Sequence, residues 1–455
     1  MERTEKMEYL ATRKFIPIAG PNPILLPGSA DDWDGSAIEA CNVIKDADTY
    51  YLYYHGWANN ADLWKPGYRI GVATAKHPLG PWVKSENNPI IEMGAEGSWD
   101  EGWVACASLL KEEKNNFSML YSGNFGVGLA TAEHPLGPWK KYGQNPVIEE
   151  NFGYVGSVLK VNGLYLLYNE YPIDISPDQG SFALATADRI EGPWRRHEKP
   201  VLRPDSFSSW DSGGYSESNV LYHDGVFHTF YAGTKWERQP AEWKSAFESV
   251  GYACSMDGKN FFKHVDNPVV PREGSADTSA ISEVHALWEA PFYYLYHTLR
   301  FISLDVREGY GEYIGMQIVA TRTPFRIPFP VISLDELSGG KISPLVHQVG
   351  ERKRIEVLGC PPIGLSAVQS VAMTATCRFD AGATAGLRIH VKSSTDGDSY
   401  DSEDFETFDV LCNPGKTVQR TQTVAANVIY IKVLVENLDA KHRAMDISVT
   451  ATLCG

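Results

Sequence analysis

The segments Glu217-Ser-Asn-Val-Leu221 and Glu283-Val-His-Ala-Leu287 read alike: an acid, a polar residue two places on, then leucine. If both are extended, period-two alternation sends these three residues to one face. Two carboxylates at one repeat position then stand side by side, which is what breaking a glycosidic bond requires. One protonated acid assists the leaving oxygen, and one carboxylate activates water or attacks the anomeric carbon. Glu217 and Glu283 are therefore the leading catalytic candidates, with Glu39 and Glu170 competing as a third member. His285, Asn219 and Asn42 are expected to hydrogen-bond sugar hydroxyls, and His55, Trp57, Asn169, Arg300 and Asp34 complete the expected substrate contacts. The plain alternative is that each acid is a solvated strand residue. For the recurring pairs Trp33-Asp34, Trp99-Asp100 and Trp210-Asp211, repetition favours a structural turn in which Asp accepts backbone N–H groups.

The elements that must carry these residues are repeated. Gly71-Val-Ala-Thr-Ala-Lys-His-Pro-Leu-Gly-Pro-Trp82 returns as Gly128-Leu-Ala-Thr-Ala-Glu-His-Pro-Leu-Gly-Pro-Trp139 and as Ala183-Leu-Ala-Thr-Ala-Asp-Arg-Ile-Glu-Gly-Pro-Trp194. Weaker copies follow at Gly251–Asn260 and Val319–Phe325, which makes Ala73, Ala130, Ala185, Ala253 and Ala320 equivalent. A second marker, Asn-Pro or Lys-Pro before two apolar residues, falls at Pro23, Pro89, Pro146, Pro200 and Pro268. Five units of roughly 55–70 residues are implied. Each reads as four short strands, the second being aromatic, as in Tyr50-Tyr-Leu-Tyr-Tyr54. Such units predict an all-β fold, a five-bladed β-propeller over residues 1–332.

In that fold the first strand of each blade lines the axis. Anchoring on the aromatic strands gives three rings at period two. Ile44, Leu110, Leu159, Leu221 and Leu287 should plug the axis, and Asn42, Ser108, Ser157, Asn219 and His285 should floor a pocket above. Ala40, Cys106, Val155, Glu217 and Glu283 come next. Glu39 is off-phase by one unless a bulge turns it inward. Glu170 ends a second strand where other units have Gly56, Gly123 and Gly233, and Arg300 in the fifth can hold a neighbouring carboxylate ionised. The loops 57–68 and 235–250 carry Trp57, Trp64, Trp236 and Trp243. They are either walls that stack on sugar rings or hydrophobic cover.

From about Ser333 the repeat stops. Alternating strands such as Gly386–Lys392 and Val428–Val435 predict a jelly-roll-like β-sandwich over 333–455, an accessory module or a packing domain able to join copies into a homo-oligomer. The net charge of −16 argues against nucleic acid or an anionic membrane as partner. No apolar run reaches the ~18 residues of a membrane span. The start Met-Glu-Arg-Thr-Glu-Lys lacks an apolar core, so the expected location is cytoplasmic, or secreted if a leader has been removed. Seven cysteines without a CxxC pair give no zinc site; buried thiols are expected, with disulfides among the last four left open. No cofactor is required, and a structural cation on His285 and waters is allowed in the channel.

The Ala-Thr-Ala…Gly-Pro-Trp phrase, the Asn-Pro marker and the Tyr-Tyr-Leu-Tyr strands resemble the five-bladed propellers of glycoside hydrolase family 43 and relatives such as families 32, 62, 117 and 130. The resemblance covers about residues 15–330. It implies hydrolysis of arabinofuranosides, xylosides or fructosides by carboxylates around the axis. This chain departs from the family where an Asp-Pro pair would open the first strand: it has Ala40-Cys41 preceded by Glu39. The general-acid motif, Glu, a small residue and Pro, is matched only loosely, by Glu39-Ala40-Cys41. A divergent member is implied. Two alternatives stand beside hydrolysis: a phosphorylase using Lys235, Arg238 and Arg300, and a sugar-binding propeller without catalysis.

Overall fold

A run such as Tyr50-Tyr-Leu-Tyr-Tyr54 has no polar face, so it suits only a strand covered on both sides. That is where it lies, in the interior of a sheet and buried along its length. The computed structural model describes residues 3–20, 23–29, 31–58, 67–149, 153–170, 181–204, 209–212, 214–216, 219–234, 249–271, 280–301, 311–322, 325–338, 344–349, 353–358, 363–365, 367–395 and 399–455. Among them one helix, Arg3–Thr12, accompanies an otherwise β structure. No described helix is long and apolar enough to cross a membrane.

Four antiparallel sheets repeat one order. The first runs Ala37–Asp46, Thr49–Trp57, Arg69–Ala75, Val83–Lys84. The second starts with Val104–Glu113 and the third with Val155–Val161; the fourth starts with Gly214–Tyr215 and Asn219–His223. In the fifth, Ala280–Glu289, Phe292–Phe301 and Gly311–Ala320 are completed by Ile16–Ala19 from the other end of the chain. The starting strands touch in succession, first to second and onward, and the fifth returns to the first. We call them inner strands. Hydrophobic clusters fill the spaces between successive sheets, for example Tyr53, Val72, Leu109 and Met119 between the first and second. Phe230, Tyr252, Val284 and Leu295 do the same between the fourth and fifth.

The repeated phrases have local causes. Leu79 N donates to His77 Nδ1 at 3.2 Å and Leu136 N to His134 Nδ1 at 3.1 Å, so these histidines cap turns. Gly80, Gly137 and Gly192 that follow have φ of 87–93°, a region glycine enters without steric cost. The Asn of three Asn-Pro markers acts as a short strand, while Asn22 of the first lies outside the described residues. Asn88 bonds Val72 N and O at 2.9 and 3.0 Å, Asn145 bonds Leu129 N and O, and Asn267 bonds Tyr252 N and O. Register corrects one equivalence. Gly315 pairs with His297 as Gly71 pairs with Tyr54, so Gln317, not Ala320, is the counterpart of Ala73.

Two further four-stranded sheets follow, Arg326–Leu337, Ala444–Cys454, Ser370–Phe379, Thr417–Val424 and Ile363–Gly364, Tyr430–Asn437, Leu387–Ser394, Glu406–Val410. Burial alternates along Ser370–Phe379, and Val371, Met373 and Cys377 share one core with Ile389, Val391, Ile431 and Val433. The strand Arg326–Leu337 crosses position 333 and pairs with Ala444–Cys454, so its N-terminal half goes with these sheets. Cys106, Cys254, Cys377, Cys412 and Cys454 are free thiols; Cys41 and Cys360 fall outside what is described at side-chain level.

Candidate active site

Every inner strand is irregular at one shared place, and the second also shifts between Lys111 and Glu113. Pairing skips between Glu39 and Cys41, Ala105 and Ser108, Val155 and Ser157, Tyr215 and Asn219, and Ser282 and His285. A bulge sharpens the local twist and re-aims side chains. Two bulge residues, Cys106 and Glu283, hold positive φ of 51° and 45°, a conformation uncommon outside glycine and stored where structure or function demands it.

Beyond the bulge, Asn42, Ser108, Ser157, Asn219 and His285 oppose Tyr53, Leu120, Tyr168, Phe230 and Tyr296, one register position in all five sheets. Each side chain bonds the next inner strand. Asn42 Oδ1 accepts from Leu109 N (3.2 Å), Ser108 Oγ from Val158 N (3.0 Å) and Ser157 Oγ from Val220 N (2.9 Å). Asn219 takes both Ala286 N (2.7 Å) and Ala286 O (3.3 Å). His285 closes the circle, accepting from Asn42 Nδ2 at Nδ1 (3.1 Å) and donating from Nε2 to Val43 O (3.1 Å). Burial pushes its imidazole down to about 4, against that backbone bond. The structure thus gives the polar atoms of Asn42, Asn219 and His285 another use than sugar contact, joining inner strands, and leaves His285 no lone pair for a cation. The burial order is also the reverse of the expected one. The polar ring is buried, whereas Ile44, Leu110, Leu159, Leu221 and Leu287 are only half-buried, each against a different inter-sheet cluster.

On the other side of the polar ring lie the acids. The bulge brings Glu39 opposite His55; Glu39 is 8 % exposed, and its Oε1 lies 3.2 Å from His55 Nε2. Glu283, 5 % exposed, sits in the bulge of the adjacent inner strand. Ser282 Oγ donates to Glu283 Oε2 (2.6 Å), and Glu283 N donates to Ser216 Oγ (3.1 Å). Glu170 is half-buried. Register pairs it with Phe182 as His55 pairs with Ile70 and Ser122 with Val127, so its counterparts are His55 and Ser122, not Gly56 and Gly123. Asn169 is buried and donates from Nδ2 to the Glu170 carbonyl at 2.8 Å. Glu217, Lys235 and Arg238 lie outside the described residues, as does the side chain of Arg300, whose backbone pairs with Ala280 and Glu312.

Asp34 belongs to a different device. Its Oδ2 accepts from Tyr54 Oη (3.0 Å) and Lys84 Nζ (2.5 Å). Asp100 accepts from Lys141 (2.6 Å) and Asp211 from Lys263 (2.6 Å) and Tyr215 (3.1 Å). The partners are thus mainly side chains, where backbone N–H groups were expected. Each preceding tryptophan lies on a tyrosine of the second strand, at 5.6–5.8 Å. Trp57 instead starts an aromatic row. Trp57, Tyr68, Trp103 and Tyr154 follow one another at 5.0, 6.4 and 5.8 Å, and Tyr68 also meets His55 at 4.9 Å. This row was not legible in sequence, because Tyr68, Trp103 and Tyr154 belong to no repeated phrase. Among the described residues no three His, Cys, Asp or Glu side chains converge as metal ligands.

No protein-family model matches the chain. The chain is similar to a 1,2-beta-oligomannan phosphorylase of Thermoanaerobacter sp. (strain X514), 28% identical over 104 residues, 23% of this chain and 34% of that one. It is also similar to a beta-1,2-mannobiose phosphorylase of the same organism, 32% identical over 84 residues, 17% and 28% of the two chains. The chain therefore spans about a third of the length of these curated relatives. A glycosyl hydrolase structure from Bacteroides ovatus superposes with a TM-score of 0.50 at 15% identity, covering 68% of this chain and 94% of that one. A further glycoside hydrolase structure gives 0.50 at 15%, covering 70% and 96%. These likenesses bear on the fold: the chain is similar to the β-propeller glycoside hydrolases.

Proposed function

We propose that this chain cleaves glycosidic bonds by carboxylate acid/base catalysis at the bulged ends of its inner strands. The five sheets serve as the blades of a propeller closed by Ile16–Ala19, and the sheets after residue 325 form an accessory β-sandwich. The observation that carries the reading is the pair Glu39 and Glu283, buried at equivalent bulges of adjacent inner strands. In this reading one of the two carboxyls gives a proton while the other accepts one. Glu217, at the repeat position of Glu283, and Glu170 belong to the same proposal. The row Trp57–Tyr68–Trp103–Tyr154 supports a carbohydrate substrate, since half-exposed aromatic faces stack on sugar rings. Arabinofuranoside, xyloside or fructoside substrates are the classes proposed.

Phosphorolysis is the second reading, favoured by the similarity to two mannoside phosphorylases. There phosphate replaces water as the attacking group. Sugar release from a panel of aryl glycosides and oligosaccharides, mannosides included, with and without phosphate, tests both. Free sugar that is lost in a folded Glu283→Gln variant supports hydrolysis, and sugar 1-phosphate formed only with phosphate supports phosphorolysis. Binding without turnover on every substrate overturns both.

A further inference from the structure

The two nitrogens of His55 meet different kinds of partner. Nδ1 lies 3.4 Å from the backbone N of Cys106, in the neighbouring sheet, and Nε2 lies 3.2 Å from Glu39 Oε1. An amide N–H can only donate, so Nδ1 must be the accepting nitrogen and the ring proton must sit on Nε2. An imidazolium would set N–H against N–H at Cys106. The Cys106 amide is aimed by the bulge, where that residue holds φ of 51°. The device recurs between the second and third sheets without the second step: Val155 N donates to Ser122 Oγ at 2.9 Å. A serine ends the chain of bonds there, whereas histidine passes it on to a carboxylate.

We infer that His55 is a positioning residue, locked by the Cys106 bulge as a neutral Nε2–H donor, which keeps Glu39 the ionised member of the carboxylate pair. A donor aimed at a carboxylate favours its charged form. Glu39 then takes the proton of the attacking water as that oxygen bonds the anomeric carbon, or itself bonds that carbon. In either course another carboxyl, Glu283 on the adjacent strand, gives its proton to the departing oxygen as the glycosidic bond breaks. Among the described residues, the titratable groups facing His55 are Glu39 on its own sheet, the phenol of Tyr68 with its ring 4.9 Å away, and Cys106 from the second sheet. This inference rests on the function proposed above.

Two measurements test it. Histidine-selective 15N spectra of the full chain, with His55 assigned by its absence in His55→Gln, read the tautomer without any substrate. A protonated Nε2 and an unprotonated Nδ1 at pH 7 are expected; the opposite tautomer, or an imidazolium, overturns the inference. Kinetics add the second readout, on whichever glycoside is turned over. In His55→Leu the low-pH limb of kcat moves up by about 1–2 pH units, the size of one lost hydrogen bond to a charged group. His55→Gln, whose amide reaches the Nε2 position, restores the limb. A His55→Leu profile matching wild type, while Glu39→Gln is inactive and folded, sinks the inference and spares the carboxylate pair. Full activity of Glu39→Gln instead sinks the pair itself.

Discussion

Asp34, Asp100 and Asp211 are as deeply buried as Glu39 and Glu283, yet the two sets are built differently. Each aspartate follows a tryptophan, receives a lysine from the last strand of its sheet, and recurs in the first, second and fourth sheets. The glutamates lack that pattern: the register counterpart of Glu39 is Ala105 in the second sheet and Ser282 in the fifth, and Glu283 shares its repeat position with Glu217, with no tryptophan before either. A group repeated with its partner in several sheets serves what all sheets share, which is holding together. A buried acid confined to one or two sheets, at the point where the inner strand is bent, is not needed by the fold, since the other sheets form without it. The comparison therefore separates architecture from chemistry without reference to any relative.

The largest effect that can break this comparison is catalytic. Glu39→Gln and Glu283→Gln should each lower turnover by roughly 10²–10⁴-fold, the usual contribution of a general acid or base. Their melting temperatures should stay near wild type. Undiminished turnover in either variant removes that glutamate from the chemistry. Asp211→Ala should do the reverse. It strands Lys263 in a largely buried position and should cost about 3–5 kcal/mol of stability in urea unfolding. Turnover per folded molecule should be retained. A stable Asp211→Ala protein that has lost turnover would move the aspartates into the chemistry.

Much of this arrangement was legible in the chain itself. The phrase ending Gly-Pro-Trp and the Asn-Pro marker gave the repeat because each has a local cause, a capped turn and an amide that mimics a strand. Period-two alignment likewise put Asn42, Ser108, Ser157, Asn219 and His285 on one level. What those side chains bond could not be read, since their partners lie in the next repeat and depend on how closely inner strands approach. A bulge entered the sequence reading only as a condition on Glu39, and the other four went unread. The extra residue before Cys41 is what brings Glu39 to His55, and without it the pair is out of phase. In the fifth unit, Val319-Ala320 imitates Val72-Ala73 three places too late, so composition alone misaligned it.

The buried histidines give an effect of intermediate size. Burial holds His285 and His297 down to about 4 and His228 down to about 2. In the unfolded chain each titrates near 6.5. Between pH 6.5 and 4 the unfolded chain therefore binds protons that the folded chain refuses, so stability is full above 6.5 and falls as pH drops. Each such group contributes up to about 1.4 kcal/mol per pH unit in that window. Urea unfolding at pH 7.5, 6 and 5 should show the slope, and His285→Leu should reduce it by one proton. An unchanged slope would mean that His285 already charges in the folded state and that burial is not holding it neutral against the ring bond to Val43.

The smallest expected effect sharpens the comparison at its rim. Tyr154 is 37 % exposed and closes the aromatic row 5.8 Å from Trp103, so removing its ring leaves the inter-sheet cores intact. Aromatic contacts of this kind are worth about 0.5–1.5 kcal/mol. Tyr154→Ala should accordingly raise KM up to roughly tenfold on an oligosaccharide, with kcat and melting temperature held. On a short aryl glycoside that does not reach the row, KM should not move. Equal losses on both substrates would return the row to the structural side, as cover for the sheets beneath it. A loss confined to the longer substrate would extend the distinction drawn from the carboxylates to uncharged side chains: Trp33, Trp99 and Trp210 recur against a tyrosine of their own sheet, whereas the row runs once, across three sheets, beside Glu39 and His55.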